Sequence, residues 1–67
     1  MKISLAAARV NAGLTQKEAA AVLDVGNKTL SSWENGNSFP DAMQIEKICE
    51  IYGLSYDNIN FLPTNPL

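Results

Sequence analysis

The chain is expected to fold as an all-α domain, a compact bundle of five short helices around a central pair joined by a tight turn. Three observations predict this. Apolar residues recur at helical spacing through most of the chain, and no stretch alternates with the two-residue period of a strand. Helix-start signals precede four of the five apolar runs: Ser4, Thr15 with Glu18, Asp41 with Gln44, and Ser55. Glycines mark the helix ends at Gly13, Gly36 and Gly53, and the loops between are short.

The elements follow in order. Ser4 caps a first helix over about residues 4–12, with Leu5, Ala8 and Ala12 on its apolar face. Thr15-Gln-Lys-Glu18 has the form of a capping box and opens a second helix to about Leu23, with Ala19, Ala20 and Leu23 inward. Asp24-Val25-Gly26 is the turn. A third helix runs from about Asn27 to Asn35, with Leu30 and Trp33 toward the core, and Asn35-Gly36 stops it. Pro40 restricts Phe39 to extended geometry within the loop Asn37-Ser-Phe-Pro. Asp41 caps a fourth helix carrying Ala42, Ile45, Ile48, Cys49 and Tyr52, and Gln44 is placed to complete a second capping box. Ser55 is expected to cap a fifth helix at about 56–60. One domain over residues 1–62 and a short proline-broken tail at 63–67 complete the expected organisation.

Composition narrows the function. A chain of 67 residues has room for one small core, which disulfides or a metal often reinforce. Cys49 is the only cysteine and there is no histidine, so no disulfide within the chain and no metal site is expected. The lone thiol, set among apolar residues, fits core packing in a reducing compartment, so an intracellular, cytoplasmic protein is expected. No run approaches the length of a membrane span, and Arg9 and Asn11 interrupt any signal-peptide pattern. With no histidine, no carboxylate pair at a cleft and no phosphate-cradling glycine loop, the chain is expected to be no enzyme and to need no cofactor.

The central pair of helices suits DNA. Two helices joined by three residues cross closely, and the methyl side chain of Ala20 permits the approach. Val25 can fill the angle between them, while Leu23, Leu30 and Trp33 anchor both helices in the core. The opposite face of the third helix then carries Asn27, Lys28, Ser31 and Ser32. Asn can pair with adenine and Lys can donate to guanine acceptors. Gln16, at the start of the second helix, and Asn37 with Ser38, after the third, are placed to touch phosphates on either flank. An ordinary solvated helix face would have the same composition. The net charge of −2 also runs against the basic character usual in DNA-binding domains. Local position counts for more than the total, because salt screens each charge beyond about 10 Å. Lys17 and Lys28 lie inside the central segment, and Asp41, Glu46, Glu50 and Asp57 lie after it.

Gly13-Leu14-Thr15-Gln16, the turn through to Leu30, and Trp33-Glu34-Asn35-Gly36 followed by Pro40 together resemble the Cro/CI-type, lambda-repressor-like (XRE-like) helix-turn-helix family over about residues 5–60. The resemblance implies the five-helix fold, with the third helix as the recognition helix. It maps base contacts to Asn27, Lys28 and Ser32, a phosphate contact to Gln16, and phosphate or methyl contacts to Thr29 and Ser31; Lys17, Asn37 and Ser38 join the candidate backbone contacts by their position, with a solubilising role as the alternative for Lys17. It also implies a structural ion pair between Arg9 and Glu34. Two positions depart from the family pattern: Asp24 stands where glycine is usual in the turn, and Gly26 where serine or threonine usually caps the recognition helix.

The expected function is that of a phage or bacterial repressor-like regulator bound to double-stranded operator DNA, and so nucleoid-associated, without membrane association. Tyr56, Ile59, Phe61 and Leu62 are the candidate surface for a homodimer, with closure of the monomer core as the competing role. A protein-interaction module on the same fold, an antirepressor or adaptor that does not bind DNA, is the alternative.

Overall fold

The computed structural model describes residues 2–61; Leu62 and the tail at 63–67 lie outside the described residues. Four α-helices carry the architecture: α1 Leu5–Asn11, α2 Gln16–Leu23, α3 Asn27–Glu34 and α4 Ala42–Tyr52. Their starts follow the predicted caps. The Ser4 side chain accepts from the Ala7 amide at 3.0 Å. Thr15 and Glu18 form a complete capping box, with bonds of 3.1 and 2.9 Å in the two directions. Being hydrogen-bonded by the Thr15 backbone and hydroxyl holds the Glu18 carboxyl below its ordinary pKa.

The second predicted box forms only by half. Asp41 accepts from the Gln44 amide at 2.9 Å, but the Gln44 side chain does not reach back, and its Oε1 is buried without a partner among the described residues.

The ends of the first three helices share one closure. At the end of α3 the Asn37 amide reaches the Ser32 carbonyl at 2.9 Å and the Gly36 amide reaches Trp33 at 3.2 Å. This is a Schellman motif around a left-handed residue. At the end of α2 the same pair of bonds runs from Val25 to Ala20 and from Asp24 to Ala21. There the left-handed residue is Asp24, at φ 58°, the one non-glycine residue with positive φ among those described. Aspartate adopts this conformation more readily than most residues but at a cost of about 1 kcal/mol relative to glycine.

The fifth helix does not form. Tyr56–Asn58 make a single 3-10 turn, closed by the Asn58 amide on the Ser55 carbonyl at 3.0 Å. The residues Tyr-Asp-Asn-Ile-Asn are weak helix formers, and so short a segment cannot offset the cost of nucleation. Nor does Ser55 cap a helix: its hydroxyl donates to Asn58 Oδ1 at 2.6 Å. The chain instead extends. β2 Ile59–Asn60 pairs in parallel with β1 Ile3–Ser4, in the register Ile3 to Ile59 and Ser4 to Asn60. Two residues per strand are too few for sequence alternation to reveal.

The core joins all four helices to this bridge. Leu5, Ala8, Ala19, Ala20, Leu23, Leu30, Trp33, Ile48, Tyr52, Ile59 and Phe61 are buried together. Val25 is half-buried against them, at the angle between α2 and α3. Pro40 is also fully buried, which a residue without an N–H can be at no donor cost. Ile59 and Phe61, expected as dimer-surface candidates, are only 1% and 4% exposed and close the monomer core. Of that group Tyr56 is exposed, stacked on Phe61 at 5.5 Å.

The strain at Asp24 gives a direct test of the turn. Asp24→Gly should raise the melting temperature by about 2–6 °C, and Asp24→Ala should lower it, as read by circular dichroism.

Candidate nucleic-acid interface

Alpha-helical geometry divides α3. Leu30 and Trp33 point into the core, Leu30 fully buried and Trp33 only 6% exposed. Trp33 is thus a core residue and not a stacking platform. On the outside, Asn27, Lys28 and Thr29 are exposed, and Ser31 and Ser32 are half-buried. Gly26 caps the helix by backbone alone, so no side chain takes an amide of the first turn. A side chain built there would meet Thr29 Oγ1 at 3.8 Å, an ordinary contact, so serine would fit.

The loop after α3 folds back on the helix. Ser38 Oγ donates to Ser32 Oγ at 2.8 Å, and the Ser32 carbonyl takes the amides of Asn37 and Ser38 at 2.9 and 3.4 Å. Asn35 Nδ2 donates to Ser31 Oγ at 3.4 Å. Candidate base contact Ser32 and candidate backbone contacts Asn37 and Ser38 are therefore one cluster. Thr29 and Lys17 are exposed elsewhere on α3 and α2.

Behind this surface lies a charged junction. Arg9 Nε donates to Glu34 Oε2 at 2.7 Å, with Nη2 to Oε1 at 3.5 Å. Arg9 Nη1 donates to the Leu14 carbonyl at 2.9 Å. The two side chains keep only 15% and 7% of their exposure. Gln16, a candidate phosphate contact, joins the junction as well: its Nε2 donates to Glu34 Oε1 at 3.1 Å. Sequence spacing gave no sign of that bond, which joins residues 18 apart.

Tyr52 is buried beside the junction with its hydroxyl unpartnered among the described residues. Burial first, and the Glu34 charge second, push its pKa up to about 12, against an opposing effect of Arg9. Cys49 is half-buried, and burial raises its thiol pKa, which suits packing rather than nucleophilic chemistry. Among the described residues no group of side chains could hold a metal ion, and no helix is long and apolar enough to cross a membrane.

Comparison with known proteins agrees with this geometry. Residues 5–59 match the family model described as Helix-turn-helix. Over 50 residues the chain is 44% identical to the HTH-type transcriptional regulator ImmR of Bacillus subtilis (strain 168), covering 75% of this chain and 39% of that protein. The chain thus spans about two fifths of the length of this relative. No solved structure matches the chain significantly.

Two outcomes test the junction. Arg9→Ala should strand a mostly buried carboxylate and cost about 3–5 kcal/mol, lowering the melting temperature by more than about 10 °C. An unchanged melt would remove the pair's structural role. For Tyr52, a pKa raised above the ordinary value means that the fold favours the neutral phenol. Its contribution is complete below about pH 10 and is lost as pH rises toward 12. In Tyr56→Phe, which leaves Tyr52 the sole tyrosine, tyrosinate absorbance should appear near pH 12 or together with unfolding.

Proposed function

The chain belongs to the helix-turn-helix family in its Cro/CI, XRE-like form, and from that premise we propose that it is a transcriptional regulator that lays α3 in the major groove of operator DNA. The observation that carries this is the division of α3. Leu30 and Trp33 are locked in the core, so Asn27 and Lys28 at the first turn face solvent where base edges can reach them. Asn27, Lys28 and Ser32 would read bases, and Gln16, Lys17, Thr29, Ser31, Asn37 and Ser38 would hold the backbone. Regulation is by occupancy, without catalysis, in a prokaryotic or phage-infected cytoplasm.

The electrostatics make each chain a weak binder. Of the five cationic residues, Arg9 is committed to Glu34, and Lys47 donates to the Leu23 carbonyl at 3.5 Å. Lys2, Lys17 and Lys28 are the exposed cations left for phosphate. Two copies on a two-fold operator would multiply a modest affinity. With Ile59 and Phe61 in the core, the exposed aromatics for such pairing are Tyr56 and Phe39, which flank Phe61.

Selection from a random duplex pool is the test. Enrichment of a defined sequence, palindromic for a dimer, is expected. Lys28→Ala should weaken binding about tenfold or more. The slope of log affinity against log salt should be no steeper than about −3 per chain. Absence of any duplex binding, with the fold intact, would instead favour a protein-interaction module, a role that the net charge of −2 also suits.

A further inference from the structure

Glu34 stands at the end of α3, two residues beyond the candidate base contact Ser32, yet its carboxylate is bonded to the first residue of α2. Oε1 accepts from Gln16 Nε2 at 3.1 Å, and both oxygens are engaged by Arg9, at 2.7 and 3.5 Å. A carboxylate only accepts hydrogen bonds, so it dictates which end of the Gln16 amide turns toward it: the nitrogen. That nitrogen carries two protons, and one is used. The other is the group on this amide suited to a phosphate oxygen, since the carbonyl would repel it. Arg9 meanwhile compensates a charge that would otherwise oppose the approach of an anion.

We propose that Glu34 is a positioning residue for DNA binding: held by Arg9, it fixes the Gln16 amide so that its second N–H is ordered in advance for a backbone phosphate. This rests on Gln16 being a phosphate contact. Ordering the side chain before binding removes an entropic cost that a free glutamine would bear on the complex. The ion pair then does more than hold helices together; it links the interior of the domain to its affinity.

A double-mutant cycle tests this. Wild type, Gln16→Ala, Glu34→Gln and the double variant are titrated with a random-sequence 30-base-pair duplex at low salt, because phosphate contacts do not depend on sequence. Each is corrected for its folded fraction by circular dichroism. Gln16→Ala should weaken binding about tenfold, the scale of a hydrogen bond to a charged group. Glu34→Gln, which no longer dictates the amide's orientation, should weaken it about three- to tenfold. The double variant should bind no more weakly than Gln16→Ala alone. The loss from Gln16→Ala should be the same at every salt concentration, since a neutral amide releases no counter-ion.

Equal losses from Glu34→Gln in both backgrounds would mean that Glu34 acts on the fold alone, and would overturn the proposal. Glu34→Asp keeps a charge for Arg9 but draws back from Gln16, and should show the same non-additivity even if Glu34→Gln fails to fold. No effect of Gln16→Ala would remove the phosphate contact and the proposal with it. No binding by the parent protein would refute the proposed function itself.

Discussion

The mostly buried meeting of Arg9 with Glu34 is the constraint on which the rest of the molecule depends. An acidic residue at the C-terminal end of a helix opposes the helix dipole and is expected to be unfavourable there. Here it is offset by a guanidinium from α1 that also takes up the Leu14 carbonyl between α1 and α2. One charged group thereby fixes the relation of α1, the start of α2 and the end of α3. A junction of this kind is weak evidence for stability in itself, because desolvation cancels much of the attraction. Its value lies in specifying one arrangement, and in this chain that arrangement decides which side of α3 is wet.

A helix as short as α3 would not persist alone in water. Three features hold it. Leu30 and Trp33 bury its inner face, the Schellman closure around Gly36 satisfies its last carbonyls, and the Asn37–Ser38 loop folds back on Ser32. The turn before it is held by the same kind of closure around Asp24, where the left-handed backbone carries a modest strain. What a duplex would meet is therefore a preformed surface, with polar side chains at the first turn and a hydroxyl cluster at the second.

Much of this was legible in the sequence, and the division between what was and was not follows from distance along the chain. Caps at Ser4, Thr15 and Asp41 act over three residues, so the pattern of residue types announces them. The inward faces of α1 to α3 follow from 3.6-residue periodicity. Contacts that span the chain leave no such trace. The parallel pairing of Ile3 with Ile59 stands in place of the helix that the residue types of Ser55 to Ile59 predict. The burial of Pro40, and the bond from Gln16 to Glu34, likewise depend on tertiary position alone. The Arg9–Glu34 pair was foreseen only through family resemblance, since nothing in the spacing of two charges 25 residues apart demands that they meet.

A chain with a net charge of −2 that binds DNA must do so through placement rather than total charge. Of the acids nearest that surface, Glu34 is paired with Arg9 and Glu18 is turned back onto its own helix start, while Asp24 in the turn is exposed. Amide chemical-shift mapping during titration with a duplex tests the orientation of α3 most directly. Perturbations should concentrate at Gln16, Asn27, Lys28, Ser31, Ser32 and Ser38, and leave Met43, Glu46 and Glu50 on the outer face of α4 unchanged. A map centred on α4, or on Phe39 and Tyr56 with α3 silent, would contradict it.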